Sequence, residues 1–115
     1  MPHLVMLYTS NLENDTDINA LCRRLADAML GIRDEADKQV FPTGGVRVLA
    51  YPAAHYALAD GGAAGKAAGV GGDYGFVYLN LRMGRGRSAD VKRRTGEALE
   101  AAAMTQLSSV LAARP

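Results

Sequence analysis

The chain has 115 residues, enough for one domain with a modest core. Its formal net charge of +1 gives no overall attraction to nucleic acid or to a membrane surface. No apolar stretch approaches the length that crosses a bilayer. Cys22 is the single cysteine, so no internal disulfide can form, as is usual in a reducing cytoplasm. We therefore expect one cytoplasmic domain, residues 1–115, that binds neither nucleic acid nor membranes.

The first half of the chain predicts a strand, a helix and a second strand. Residues 2–9 are almost continuously apolar, which favours a strand covered on both faces. Thr16 or Asp17 can cap a helix, and the apolar residues that follow recur at helical spacing over about 15 residues. Residues 46–51 predict the second strand, which should end at Pro52. The apolar stripe of the helix consists of Ile18, Leu21, Cys22, Leu25, Met29 and Ile32.

The second half begins with a segment rich in glycine and alanine, residues 60–73. Its six glycines favour a flexible loop, either a lid over a pocket or a tolerated insertion. Residues 74–83 predict the longest strand, and Ser88 can cap a final helix. This order gives two βα units in tandem, with no residues left for a closing strand, and favours an α/β fold with helices packed on a sheet. The apolar positions of the final helix are Val91, Ala98, Leu99, Ala102, Leu107 and Val110.

Pro2 is a candidate for chemistry because it follows the initiator methionine. A small second residue normally allows Met1 to be removed, which would leave Pro2 as a secondary amine. Such an amine is both a base and a nucleophile. If Met1 stays, the nitrogen belongs to an amide and cannot act as a base, and Pro2 is simply a helix-avoiding second residue.

Two arginines are candidates for binding an acidic small molecule. Arg47 lies between Val46 and Val48, so strand alternation points it away from the face of the valines. Arg87 lies in a glycine-flanked turn before the final helix, where backbone N–H groups and a guanidinium can together hold a carboxylate. The alternative is that both are solvated surface charges.

The two histidines are interpreted as structural. No cysteine or carboxylate lies at metal-ligand spacing from His3 or His55, so we expect no metal site.

Several short motifs follow one another along the chain, to about residue 112. They are Pro2-His3-Leu4, Phe41-Pro42 with Gly45-Val46-Arg47, Ala59-Asp60-Gly61, Asp73-Tyr74 with Phe76-Val77, and Gly86-Arg87-Ser88 with Gly96-Glu97. No single motif is specific, but their joint order and spacing resemble the 5-carboxymethyl-2-hydroxymuconate isomerase family of the tautomerase superfamily.

The resemblance implies a tautomerase-like fold of tandem β-α-β units, with two helices packed on one face of the sheet and the C-terminal strand missing. It implies that Pro2 is the general base, that Arg47 and Arg87 hold substrate carboxylates and stabilise a dienolate, and that no cofactor is needed. The family assembles as trimers. The expected activity is keto-enol isomerisation of a small unsaturated 2-hydroxy/2-oxo polycarboxylic acid in the breakdown of aromatic compounds.

Two other functions stay open. A hydratase or dehalogenase on the same fold would need an added acid near Pro2, which the sequence does not identify. A non-catalytic small-molecule-binding or interaction module fits a retained Met1 and the missing closing strand.

Overall fold

A computed structural model describes residues 3–67, 74–84 and 87–113. Within these ranges three strands and three helices follow one another, with short 3-10 turns at Ser10–Asn14 and Thr43–Gly45. The elements are β1 (His3–Thr9), α1 (Ile18–Leu30), β2 (Arg47–Ala53), α2 (Ala63–Ala67), β3 (Val77–Arg82) and α3 (Ala89–Ala113).

The three strands form one mixed sheet with the order β2-β1-β3. β1 runs parallel to β2 and antiparallel to β3. A parallel pair needs a crossover connection, and α1 supplies it. Among the described residues no fourth strand follows α3, so β3 is an edge of the sheet.

One face of the sheet carries the core. Leu4, Met6 and Tyr8 of β1 are buried, whereas the alternate residues His3 and Leu7 are exposed. α1 and α3 pack on the buried face, so the expected sheet with two helices on one face is confirmed. The other face, which we call the open face, is largely exposed, since Leu7, Leu49, Tyr51 and Tyr78 on it are 44–50% exposed. The helices contribute Leu21, Leu25, Met29, Val91, Leu99, Ala103, Leu107 and Val110 to the core.

Both long helices begin at the predicted caps. The carboxylate of Asp17 accepts a hydrogen bond from the Ala20 N–H at 3.0 Å, and the Ser88 hydroxyl accepts one from the Val91 N–H at 3.1 Å. Each bond satisfies one backbone donor that the first helical turn leaves unpaired. No helix in the described parts of the chain is long and apolar enough to cross a membrane.

Two predicted strand boundaries are wrong. β2 continues through Pro52, which is tolerated because an edge strand need not donate on its outer side. β3 has six residues and begins at Val77, so it is not the longest strand. Just before it, the Phe76 N–H donates to the Thr9 hydroxyl at 3.0 Å instead of to a backbone carbonyl, which ends the regular ladder.

The predicted glycine-rich loop lies partly outside the described residues, since 68–73 are not described. Its first part forms α2, and Asp60 accepts two backbone hydrogen bonds from the start of that helix. Tyr74, at the far end of the segment, hydrogen-bonds to Asp60; this contact and the backbone bonds lower the pKa of the Asp60 carboxyl. The two ends are therefore held together, and the flexibility of the loop stays a prediction.

Candidate active site

The topology brings Arg47 and the connection that carries Arg87 to the end of the sheet where β1 begins. β1 and β2 are parallel, so both begin there, whereas the antiparallel β3 ends there. The connection from β3 to α3, which carries Arg87, therefore starts at the same end. Pro2 immediately precedes β1 but lies outside the described residues. That the Pro2 nitrogen lies close to the two guanidinium groups stays a prediction.

Arg47 lies at the start of β2 on the open face, opposite Val46 and Val48, as strand alternation predicts. Its Nη1 donates to the Gly44 carbonyl at 2.7 Å and to the Val46 carbonyl at 3.1 Å. These two bonds use both hydrogens of Nη1 and fix the guanidinium. The edge formed by Nε and Nη2 has no hydrogen-bond partner within the described ranges, and this edge has the geometry that binds a carboxylate through two hydrogen bonds.

Arg87 is half-buried and is held from two sides. Its Nη2 donates to the Val40 carbonyl at 3.2 Å, and its guanidinium carbon lies 5.9 Å from the centroid of the Phe41 ring. Phe41 is fully buried, so the ring is a rigid surface for the cation. The Nε of Arg87 is buried and finds no acceptor among the residues described.

Both arginines are therefore anchored on one connecting segment, residues 40–46, between α1 and β2. Arg87 binds the beginning of the segment and Arg47 binds its end. Neither guanidinium is paired with a carboxylate of the described chain. This, together with the common support, is consistent with a carboxylate-binding role for the pair. The contact of either residue with a substrate stays a prediction.

Sequence reasoning gave no role to Arg82, which the structure places in the same region. His3 pairs with Arg47 on one side and with Arg82 on the other, and all three are exposed. His3, interpreted as structural, thus lies on the open face rather than in the core. Arg82 was not among the candidate residues, because cross-strand register is not encoded in local spacing.

In the described residues no metal-binding cluster is found, and a mainly apolar cavity lies away from the two arginines. The described residues contain no group of three or more His, Cys, Asp or Glu side chains that could hold a metal ion. A cavity of about 600 Å³ lies between β3 and α3, with a mainly apolar lining that includes neither Arg47 nor Arg87. Arg47 instead lines a cavity of about 510 Å³ along β2 and α1.

Tyr8 is a buried titratable group of β1 but lies on the helix side of the sheet. Burial, together with the hydrogen bond that its hydroxyl donates to Glu13 at 2.8 Å, raises its pKa to about 12. The phenol therefore stays protonated at physiological pH and supports the fold rather than the chemistry at the open face.

Comparison with known proteins identifies the family. The model of the 5-carboxymethyl-2-hydroxymuconate isomerase family matches residues 2–115. The crystal structure of a 5-carboxymethyl-2-hydroxymuconate delta-isomerase superposes with a TM-score of 0.94 at 64% identity, covering 99% of this chain and 76% of that chain. A 5-carboxymethyl-2-hydroxymuconate isomerase from Deinococcus radiodurans R1 gives a TM-score of 0.77 at 36% identity, covering 98% and 74%.

A curated relative agrees with these structures. The 5-carboxymethyl-2-hydroxymuconate Delta-isomerase of Escherichia coli is 24% identical over 114 residues, which are 99% of this chain and 79% of the relative. The likeness to the solved isomerases confirms the expected tautomerase-like fold. The chain therefore belongs to the 5-carboxymethyl-2-hydroxymuconate isomerase family, and it is an isomerase.

Proposed function

We propose that the protein moves a proton within a small unsaturated 2-hydroxy/2-oxo polycarboxylic acid, with the amine of Pro2 as general base after removal of Met1. The observation that supports this proposal is the common end of the sheet at which the relevant strands begin or end. The start of β1, which directly follows Pro2, lies at the same end of the sheet as Arg47 and the connection carrying Arg87.

The proposed reaction needs a base and a stabilised anion. The Pro2 nitrogen takes a proton from a carbon next to the carbonyl, and the electron pair of the broken C–H bond enters the conjugated system as a dienolate. The same proton returns to a carbon further along that system, so no external reactant is consumed. A positioned base contributes about 10²–10⁴-fold to such a step.

In the proposed reaction the arginines bind and stabilise negative charge. The free edge of Arg47 binds a substrate carboxylate through two hydrogen bonds, while Arg87 provides a second positive charge for the dienolate or for another carboxylate. Because both side chains are already fixed on residues 40–46, little reorganisation accompanies the reaction. Preorganised charge of this kind is commonly the largest single contribution to catalysis.

The test combines the state of the N-terminus with turnover. Protein purified from its native host should have an intact mass that lacks Met1. Mixed with a conjugated 2-hydroxy polycarboxylate, it should change the ultraviolet spectrum of the compound as the double bonds move. A chain proven to begin at Pro2 that leaves this spectrum unchanged, while a relative turns the compound over, contradicts the proposal.

We also propose that the protein is a homotrimer and is located in the cytoplasm. The lone Cys22 fits a reducing compartment. The oligomer is supported by the open face, which beyond its first row of residues carries several exposed apolar side chains. Exposed apolar surface concentrated in this way is typical of an interface. The residues are Leu7, Leu49, Tyr51, Phe76 and Tyr78, each 44–50% exposed.

A charge placed on this apolar surface should break the oligomer. Sedimentation equilibrium should give the mass of three chains for the wild type and a smaller mass for Leu7→Glu, because assembly would bury the new carboxylate without an oppositely charged partner. Tyr56→Glu is the matched control, since Tyr56 is 41% exposed but lies outside the sheet. A monomeric wild type, or an intact trimer of Leu7→Glu, would refute this interface.

A further inference from the structure

One glutamine side chain spans the segment that supports both candidate arginines. Gln39 lies immediately before residues 40–46, and its Nε2 donates two hydrogen bonds into that segment. One goes to the Phe41 carbonyl at 2.8 Å, and the other goes to the Thr43 hydroxyl at 3.2 Å. A side-chain amide nitrogen can donate twice, so Gln39 uses its full donor capacity on this one segment.

The first of these bonds acts next to the anchor of Arg87. Arg87 donates to the Val40 carbonyl, and Gln39 donates to the Phe41 carbonyl, which is the next one along the chain. The peptide groups on either side of the Phe41 α-carbon are therefore both held by side chains. Rotation at this point would move the Val40 carbonyl and the Phe41 ring, and both of them support Arg87.

The second bond acts on the turn that anchors Arg47. Thr43 begins this 3-10 turn, and the Gly44 carbonyl within it accepts a hydrogen bond from Arg47 at 2.7 Å. The Thr43 hydroxyl is the group through which Gln39 holds the turn. Because both bonds depend on one amide nitrogen, a displacement of Gln39 would disturb the supports of both arginines at once.

Gln39 itself has a fixed starting point on the backbone. It forms an isolated antiparallel bridge with Arg33, and the neighbouring Val40 N–H donates to the Ile32 carbonyl at 3.1 Å. The side chain of Gln39 is exposed, so it contributes little to the core. The main effect of its two hydrogen bonds is therefore on the shape of residues 40–46.

We propose that Gln39 is a positioning residue, which holds residues 40–46 in the conformation that presents Arg47 and Arg87 to a carboxylate. It acts through the two arginines and does not itself bind the substrate. This inference rests on the proposed function and deepens it, because it names the side chain that keeps the two binding groups in place before the substrate arrives. Groups that are already ordered lose less freedom on binding, so release of the segment should weaken carboxylate binding.

The experiment replaces Gln39 by methionine, which is also long and unbranched but has no hydrogen-bond donor. Gln106→Met is the matched control, because Gln106 is the other glutamine of the chain. Its Nε2 also donates to one hydroxyl and one carbonyl, those of Thr16 and Asp17, at 2.8 and 2.7 Å. These bonds join α3 to the start of α1, whereas the connection that contains residues 40–46 leaves the end of α1. Calorimetry measures the binding of glutarate, an inert dicarboxylate, to the wild type and to each variant.

We expect Gln39→Met to weaken glutarate binding about three- to tenfold, as for side chains that are energetically coupled, and Gln106→Met to change it less than about twofold. Thermal unfolding should show similar losses of stability in the two variants, because each loses two hydrogen bonds. In chains that already carry Arg47→Gln or Arg87→Gln, the further effect of Gln39→Met should be smaller, since it acts through these arginines.

Equal weakening by the two methionine variants would assign the effect to general loosening of the fold and overturn the inference. No effect of Gln39→Met, an undiminished effect in both arginine variants, or a wild type that does not bind glutarate would also overturn it. If Gln39→Met weakens glutarate binding as expected but the wild type shows no isomerase turnover, the positioning role stands and the proposed reaction fails. If turnover is present and only the glutarate pattern is missing, this inference alone fails.

Discussion

Replacing Pro2 by alanine should lower kcat by about 10²–10⁴-fold, the range that a positioned general base contributes. Alanine is also a small second residue, so Met1 should still be removed and the chain should still begin with an amine. That amine is no longer held by a ring, and it differs in basicity from the secondary amine of proline. KM should change little, because the proposal gives carboxylate binding to Arg47 and Arg87. Initial rates from the ultraviolet spectrum of a conjugated 2-hydroxy polycarboxylate measure both constants.

A preparation of the unmutated chain that keeps Met1 is the sharpest control for this prediction. Its Pro2 nitrogen belongs to an amide, so kcat should fall at least as far as in Pro2→Ala while every side chain stays in place. Intact mass verifies both N-termini. A Pro2→Ala protein, or a Met1-retaining protein, that works at the native rate would show that Pro2 is not the base.

Local sequence signals predicted the two long helices and their caps well, but not the short helix α2, which lies in the segment expected to be a loop. Asp17 and Ser88 are the residues whose side chains accept hydrogen bonds from the first helical turns. The stripe containing Leu21, Leu25 and Met29 is buried as the spacing requires. Capping and amphipathic spacing act over a few residues, so a single sequence is enough to recognise them.

The order and directions of the strands were not predictable in the same way. Nothing local in residues 74–83 indicates that β3 runs antiparallel to β1, or that Arg82 is paired with His3. Such pairings join residues about 80 positions apart in the sequence, and loop lengths alone leave several arrangements possible. The edge position that permits Pro52 in β2 depends on the same long-range order.

The candidate site contains one feature that the sequence predicted and one that it could not predict. Strand alternation predicted that Arg47 leaves the core face, and it does. The support of Arg87 could not be predicted, since it comes from Val40 and Phe41, nearly fifty residues earlier in the chain. The sequence identified the two arginines, and the fold showed that one segment holds both.

Phe41 should therefore affect both stability and substrate binding. It is fully buried, so Phe41→Ala should lower the free energy of unfolding by about 3–5 kcal/mol. Phe41→Leu keeps most of the volume and should cost less than about 1.5 kcal/mol, but it removes the aromatic face beneath the Arg87 guanidinium. A partly buried cation–π contact contributes about 1–2 kcal/mol. We expect KM of Phe41→Leu to rise about fivefold, with kcat changed less, if Arg87 orients the substrate.

Leu25→Ala separates these two effects. Leu25 is also fully buried, but it lies on α1 and offers no aromatic face to Arg87, so this variant should lose about 2–5 kcal/mol of stability without a change in KM. Urea unfolding gives the stabilities, and steady-state rates well below the unfolding temperature give KM. If Phe41→Leu binds substrate as the wild type does, the ring serves only the core, and the orientation of Arg87 depends on the Val40 carbonyl alone. If Leu25→Ala raises KM as much as Phe41→Leu, the effect reflects general loosening of the fold.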